Sequence, residues 1–96
     1  LRQHADELAR TIVREAGKPL RDARTEVDRA AMTFEVSAEE ARRLPGSGEV
    51  LPMDLAPHGE GRVALTRRVP IGPIAAISPF NFPLNLVAHK LAPAWA

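Results

Sequence analysis

The chain has 96 residues, with 13 basic and 12 acidic side chains and a formal net charge of +1, so its charge offers no basis for binding nucleic acid or a charged membrane surface. Cysteine is absent, which excludes disulfides, thiolate metal sites and a cysteine nucleophile supplied by these residues. The length allows one small domain at most. Because Leu1 is not an initiator methionine and no secretory leader pattern follows it, we expect the chain to be an excerpt of a cytoplasmic protein.

The first sixteen residues have the pattern of an amphipathic helix. Their apolar side chains recur at steps of three and four, while Arg2, Asp6 and Arg10 lie on the opposite side. Gly17 stands where a left-handed helix cap is expected, and the Lys18-Pro19 pair after it disfavours continuation of the helix. The sequence therefore predicts a first helix that ends at residue 16.

A second, longer helix is predicted from Leu20 to Leu44. Pro19 suits the first turn of a helix, and the apolar positions after it again recur at helical steps. The pair Val36-Ser37 could break this helix, and the run Pro45-Gly46-Ser47-Gly48 ends it. Such a stripe could form a partner-binding coiled coil, but alanine dominates it and fewer than four clean heptads exist. We therefore interpret it as a helix packed on its own protein.

The period changes between residues 49 and 71. A short apolar piece at residues 50–53 precedes a stretch of turn composition at residues 57–61, and residues 62–67 then alternate. This pattern predicts a β-hairpin or a pair of extended arms. Because Pro52 and Pro57 lie in its first half, an edge or protruding ribbon is expected rather than a central strand.

Charge nearly disappears near the end of the chain, since Lys90 is the only charged side chain in residues 69–96. Prolines interrupt this segment and argue against a membrane span, so we expect it to belong to a protein interior most of whose walls lie outside this chain. The apolar run Ile74-Ala75-Ala76-Ile77 predicts a strand, and Pro83 is well placed to start a helix that Pro93 kinks or loosens. The predicted apolar face of that helix comprises Leu84, Val87, Ala88, Leu91 and Trp95, with Asn85 and His89 on another face.

Asn81 lies at the predicted junction between strand and helix, within Ser78-Pro79-Phe80-Asn81-Phe82-Pro83. In open α/β sheets, ligands collect beyond the carboxyl ends of the strands. Two interpretations of this residue are open. Its side-chain oxygen caps the following helix, or its amide donates to negative charge that develops on a carbonyl oxygen.

The other polar candidates are interpreted as structural. The three histidines do not have the spacing of metal ligands. Lys18 is interpreted as a solvated residue of a turn between helices, with phosphate binding as the alternative.

Three runs of sequence carry a resemblance to a known family. They are Glu15-Ala16-Gly17-Lys18-Pro19-Leu20, Thr66-Arg67-Arg68-Val69-Pro70-Ile71-Gly72 and Ile77-Ser78-Pro79-Phe80-Asn81-Phe82-Pro83-Leu84-Asn85-Leu86. In this order and spacing they resemble the NAD(P)-dependent aldehyde dehydrogenases, and the resemblance covers nearly the whole chain. The stretch from Pro83 to Lys90 is similar to the branch that acts on small polar aldehydes, including lactaldehyde, glyceraldehyde 3-phosphate and phosphonoacetaldehyde.

The resemblance implies a mechanism and a set of site residues. In that family a cysteine attacks the aldehyde, and the side-chain amide matching Asn81 stabilises the oxyanion of the thiohemiacetal. Hydride then passes to the nicotinamide of NAD or NADP, and a water activated by a glutamate releases the carboxylic acid. The positions matching Ile77, Ser78, Pro79 and Phe80 line the cofactor cleft.

The resemblance also implies an α/β fold, a partial Rossmann-like cofactor domain with two N-terminal helices, a β-ribbon, one parallel strand and one helix. Residues 1–48 would be the helical part of the cofactor-binding domain, residues 49–70 the β-ribbon of the oligomerisation region, and residues 71–96 the first strand-helix unit of the nucleotide-binding fold. A homo-dimer or homo-tetramer is expected for the full-length protein.

The chain departs from the family in lacking the catalytic cysteine, the glutamate in its glycine-rich context and the lysine-bearing strand after the last helix. We therefore expect it to be inactive alone. The alternative from another functional class is a non-catalytic helical interaction module that uses residues 1–44.

Overall fold

The computed structural model describes residues 1–44, 46 and 48–96, and this part of the chain contains three α-helices and one two-stranded antiparallel sheet. Its contacts divide it into two units, Leu1–Arg42 with Ala75–Ala96, and Arg43–Ile74. The first unit contains the buried core, and the second contains the sheet. Two residues of the predicted turn after the second helix, Pro45 and Ser47, lie outside the described residues.

Helix α1 (Ala5–Ala16) follows a short 3-10 helix at Arg2–His4. It ends as predicted, because Gly17 has a φ of 64° and its N–H donates to the carbonyl oxygen of Val13 at 3.0 Å. Glycine adopts this left-handed backbone without the steric cost that a Cβ atom would bring. The glycine therefore terminates α1 and leaves Lys18 and Pro19 to connect it to the next helix.

Helix α2 (Leu20–Arg43) has 24 residues, which corresponds to about 36 Å at 1.5 Å per residue. It begins where predicted and ends one residue earlier than predicted. The β-branched and serine pair at Val36 and Ser37 does not break it, since helix propensity is a weak preference that the surrounding residues override.

The hydrophobic core lies between α1 and α2. Ala9 and Ile12 of α1 are buried with Ala23 and Val27 of α2, and the half-buried Leu84 packs against the same cluster. The first part of the apolar stripe of α2, up to Ala31, is therefore packed within the chain, while Ala38 and Ala41 are exposed. This agrees with a helix packed on its own protein rather than a partner-binding coiled coil.

Ion pairs connect the N-terminal 3-10 helix and α1 to the exposed side of α2. The carboxylate of Asp6 accepts from Arg10 and from Arg24, each at 2.8 Å, and both oxygens of Glu35 accept from Arg2 at 2.8 Å. Hydrogen bonds from Arg10 and Arg24 lower the pKa of Asp6, and the hydrogen bond from Arg2 lowers the pKa of Glu35. Water screens exposed pairs of this kind, so each contributes little to stability.

The predicted hairpin is present as an antiparallel pair. Strand β1 (Val50–Pro52) pairs with strand β2 (Val63–Leu65), and Leu51 lies opposite Ala64. The connection contains a second short 3-10 helix at Pro57–Gly59. The side chains of both strands are exposed except for that of Ala64, which is half-buried.

Hydrogen bonds extend the ribbon beyond its two strands. The N–H of Thr66 donates to the carbonyl of Glu49 at 2.8 Å, and the N–H of Glu49 donates to the hydroxyl of Thr66 at 2.9 Å. Gly59 is buried where a Cβ atom would lie 1.8 Å from the carbonyl oxygen of Met53. Only glycine can occupy position 59, because the turn lies too close to the backbone of Met53 for any side chain.

The predicted parallel strand is absent, which corrects one part of the expected fold. Residues 71–79 form neither helix nor strand, and Ile74 and Ile77 are 63% and 84% exposed. A parallel strand requires a neighbouring strand to satisfy its backbone, and the strands in the described part of the chain are paired with each other. The apolar run therefore lies on the surface of this structure.

Helix α3 (Asn85–Trp95) begins two residues after Pro83 and contains Pro93 in its last turn. Ala88 is buried as predicted, but Trp95 is 75% exposed, with its ring centroid 6.1 Å from that of Phe34. Asn85, expected on another face, is buried as well. Among the helices of the described residues, none has the length and hydropathy needed to cross a membrane.

Candidate active-site segment around Asn81

Asn81 lies in the turn between the irregular segment and α3. The residue is exposed, and its side-chain amide makes no hydrogen bond with any residue that the structure describes. The helix-cap interpretation of Asn81 is wrong, because α3 begins four residues later and a different side chain caps it. The carboxamide is therefore exposed in this chain.

The cap of α3 is Glu26, a residue of α2. Its Oε1 accepts from the backbone N–H groups of Leu84 and Asn85 at 2.8 and 3.1 Å. The side chain of Glu26 is fully buried. A carboxylate at this position satisfies two helix-end donors and faces the positive end of the helix dipole.

Lys18 completes this arrangement from the connection between α1 and α2. Its Nζ forms an ion pair with Oε2 of Glu26, donates to the backbone carbonyl oxygen of Asn81 at 2.8 Å and lies 3.7 Å from the ring centroid of Phe82. The side chain is only 13% exposed. The interpretation of Lys18 as a solvated turn residue is therefore wrong, because its charge is used to pair a buried carboxylate.

These contacts hold the backbone on both sides of the Asn81 side chain. Lys18 fixes the carbonyl of Asn81, and Glu26 fixes the first N–H groups of α3. The carboxamide itself stays without a competing partner in the described part of the chain. The arrangement can thus present an amide donor from a fixed backbone, which is the geometry that stabilises developing negative charge at low reorganisation cost.

The four predicted cofactor-cleft residues directly precede Asn81 on the same irregular segment. Ile77 and Phe80 are 84% and 89% exposed, Pro79 is exposed, and Ser78 is half-buried. The structure brings them beside the exposed carboxamide by chain continuity alone. Of the four side chains only that of Ser78 has a polar group, and its hydroxyl forms no hydrogen bond within the described residues.

Asn85, at the first turn of α3, contrasts with Asn81. It is 3% exposed, and its side-chain Oδ1 is buried without a partner in the residues the structure describes. The described residues contain no group of three or more side chains placed to bind a metal ion. His4, one of the histidines, contacts Glu7 instead.

The roles of Lys18 and Glu26 were missed by the sequence analysis. One signal could have found Glu26: it shares a helix stripe with Ala23 and Ala30, so an acidic side chain stands on an otherwise small and apolar face. A charge on a buried face needs a partner. Lys18 was the nearest cation on the connecting turn, but no spacing rule relates either residue to Asn81.

Comparison with known proteins identifies the class. A sequence profile described as "Aldehyde dehydrogenase family" matches residues 1–96. The chain therefore belongs to the aldehyde dehydrogenase family, a family of oxidoreductases, and the resemblance drawn from its motifs is confirmed. The family match favours a part of an aldehyde dehydrogenase over the non-catalytic interaction module.

Individual relatives are similar over most of this chain. It is 52% identical over 91 residues to a 3-sulfolactaldehyde dehydrogenase from Priestia aryabhattai, covering 95% of this chain and 19% of that protein. A lactaldehyde dehydrogenase from Methanocaldococcus jannaschii is 44% identical over 96 residues, which is 19% of its length. The chain thus spans about a fifth of the length of these relatives.

A solved structure agrees with the fold. The crystal structure of aldehyde dehydrogenase 21 from Physcomitrella patens, in complex with the reaction product succinate, superposes with a TM-score of 0.87 at 47% sequence identity. The match covers 97% of this chain and 19% of that one. The chain therefore has the fold of the corresponding part of an aldehyde dehydrogenase.

Proposed function

We propose that this chain is the part of an NAD(P)-dependent aldehyde dehydrogenase that supplies the oxyanion donor Asn81. The full-length protein would oxidise a small aldehyde to its carboxylate through a cysteine thiohemiacetal, with the cysteine and the activating glutamate outside these 96 residues. The observation that carries the proposal is the open carboxamide of Asn81 on a backbone held by Lys18 and Glu26. Family membership supplies the reaction class.

The chemical task of Asn81 is to donate a hydrogen bond to the oxygen of the reacting aldehyde. That oxygen gains negative charge when the carbonyl carbon becomes tetrahedral, so a donor placed there stabilises the transition state more than the ground state. A donor that is already fixed pays no reorganisation at the moment of reaction. Removing one donor of this kind lowers kcat by about 100- to 1,000-fold.

The residues before Asn81 fit the edge of a cofactor cleft. Ile77 and Phe80 expose apolar surface next to a polar amide, a combination that suits one face of a planar nicotinamide ring. NAD or NADP would supply the hydride acceptor when bound. Ile77, Ser78, Pro79 and Phe80 would hold the ring near Asn81 and exclude water from that side.

A Rossmann-like cofactor domain belongs to the same proposal. Ile74 and Ile77 are apolar and exposed, and burial of such a run by neighbouring strands of the full-length protein would provide the ladder that it lacks here. In that arrangement Asn81 would lie beyond the carboxyl end of a strand, where α/β sheets bind ligands.

The substrate we propose is a small polar aldehyde. The relatives named for 3-sulfolactaldehyde and lactaldehyde support this choice. We also propose that the full-length protein is a cytoplasmic homo-dimer or homo-tetramer that uses the ribbon. Support for assembly comes from Val63 and Leu65, which are 66% and 79% exposed and lie two positions apart, on the same face of β2.

Replacing Asn81 by alanine in the full-length protein tests the central claim. We expect kcat for lactaldehyde to fall by about 100-fold or more, while the dissociation constant of NAD or NADP changes by less than about twofold. Gln3→Ala is the matched control, since Gln3 is also an exposed carboxamide, and it should leave both values unchanged. Unchanged kcat in Asn81→Ala, or an equal loss of activity and cofactor binding, would contradict the proposed role.

A further inference from the structure

Two charged side chains hold the segment 81–85 at both of its ends. At the start, Lys18 donates to the carbonyl oxygen of Asn81 at 2.8 Å. At the end, Glu26 accepts from the N–H groups of Leu84 and Asn85 at 2.8 and 3.1 Å. The two charges also pair with each other, so the segment is connected to α2 through one continuous set of hydrogen bonds.

The arrangement has little freedom to move. The side chain of Glu26 is fully buried and that of Lys18 is 13% exposed, so both charges depend on each other and on the segment for the hydrogen bonds that water would otherwise provide. The ring of Phe82 lies below the ammonium group at 3.7 Å and limits its movement further. A shift of the Asn81 backbone would therefore break contacts at a buried charge.

A fixed backbone matters because an amide donor acts only at the correct distance from the oxygen it stabilises. A misplacement of about 1 Å can cost about 100-fold in rate. Asn81 has no side-chain hydrogen bond of its own among the described residues, so its direction depends on the backbone conformation that Lys18 and Glu26 hold. The ion pair would therefore affect the placement of the Asn81 carboxamide as well as the stability of the helices.

We propose that Lys18 and Glu26 are positioning residues for Asn81, and that their ion pair sets the placement of its carboxamide. This inference rests on the proposed function, because it has a catalytic consequence only if Asn81 is the oxyanion donor. Neither residue touches the substrate in this scheme. Both act through the backbone of Asn81 and the first turn of α3.

A double-mutant cycle in the full-length protein tests the inference. Lys18→Met keeps the length of the side chain and its contact with Phe82 but removes the charge and the hydrogen bond to Asn81. We expect it to lower kcat by about 10- to 100-fold with little change in the KM for NAD or NADP. In the Asn81→Ala background the same substitution should change kcat by less than about twofold, because the group that it positions is gone.

A second variant keeps the test decisive if Lys18→Met does not fold. In Glu26→Gln the amide oxygen still accepts from Leu84 and Asn85, so the cap of α3 survives, while the amide nitrogen faces the ammonium group of Lys18 and loosens it. Its loss of kcat should be smaller, and it should also disappear in the Asn81→Ala background. Lys90→Met is the matched control, because Lys90 is an exposed lysine on α3. It should leave kcat unchanged.

The outcomes separate the two proposals. If Lys18→Met and Glu26→Gln leave kcat unchanged, or lower it equally with and without Asn81, the positioning role is overturned and the role of Asn81 stands. If Asn81→Ala itself leaves kcat unchanged, the proposed function fails first and the positioning role fails with it. A loss of kcat that depends on Asn81 supports the inference.

Discussion

Different interactions stabilise each of the two units of this chain. Leu1–Arg42 with Ala75–Ala96 contains the buried side chains of the described residues, including the charged Glu26. In Arg43–Ile74 the only buried residue that the structure describes is Gly59. The helical unit is therefore stabilised by side-chain burial, and the ribbon unit by its backbone ladder.

This difference indicates in which unit a substitution will lower the free energy of unfolding most. A two-stranded hairpin alone is marginally stable in water, and the apolar side chains of the ribbon gain little from burial within this chain. The helical unit concentrates its stability in a few buried contacts, and the same contacts hold the candidate site. Substitutions matched between the two units can test this comparison.

The largest loss of stability is expected for Glu26→Ala. The substitution leaves Lys18 without its partner and two N–H groups of α3 without an acceptor, so the free energy of unfolding should fall by about 3 kcal/mol. Glu39→Ala, at an exposed position of the same helix, should change it by less than about 0.5 kcal/mol. Urea denaturation measures both, and equal effects would mean that the buried carboxylate is not a centre of stability.

A valine in each unit gives the most direct comparison. Val27 is 1% exposed in the helical core and Val63 is 66% exposed on the ribbon. In the 96-residue chain, Val27→Ala should cost about 2 kcal/mol, whereas Val63→Ala should cost less than about 0.5 kcal/mol. Denaturation curves of the two variants test the contrast. A larger loss for Val63→Ala would show that the ribbon is covered by another surface.

The end of α1 provides a smaller test that depends on backbone conformation alone. Gly17 has a φ of 64°, and no atom lies within 4 Å of the position that a Cβ atom would take. An added methyl group would therefore strain the backbone without clashing with a neighbour. Gly17→Ala should cost about 1 kcal/mol, and Gly17→Asn less, because asparagine tolerates the left-handed region. Thermal or urea unfolding would detect this order, and equal stability of the alanine and asparagine variants would contradict it.

The smallest effect is expected from acid on the exposed ion pairs. Arg10 and Arg24 lower the pKa of Asp6 below its ordinary value of 3.8, so the ionised carboxylate stabilises the folded chain above the unfolded-state pKa. That contribution disappears as the pH falls through the lower, folded-state pKa. An NMR titration of Asp6 should give a low midpoint, and Asp6→Asn should remove this part of the acid dependence. A midpoint at or above the ordinary value would contradict the pairing.

Much of the local structure could be predicted from short stretches of sequence. The cap at Gly17, the start of α2 at Leu20 and the hairpin each follow from residues within a few positions of one another, because helix periods and turn chemistry are local properties. The prediction of a strand near Ile77 was wrong for this chain, because a strand forms only where a neighbouring strand pairs with its backbone. The exposure of Trp95 was missed for a similar reason, since apolar periodicity does not say what packs against a face.

The candidate site was predicted only in part. The motif around Asn81 named the residue but left its cap and donor roles open, and the structure decided against the cap because the carboxylate of Glu26 already occupies the end of α3. Lys18 lies 63 positions from Asn81 in the chain. No local pattern relates residues at that separation without knowledge of how the helices pack.

The sequence by itself determined the helices, the Gly17 cap of α1, the ribbon and the family, since these depend on near neighbours and on motifs that can be read in order. The tertiary structure alone decided that a buried carboxylate on α2 and an ammonium on the preceding turn hold the Asn81 segment. The physical reason is that a charge leaves water only when folding brings its distant partners to it.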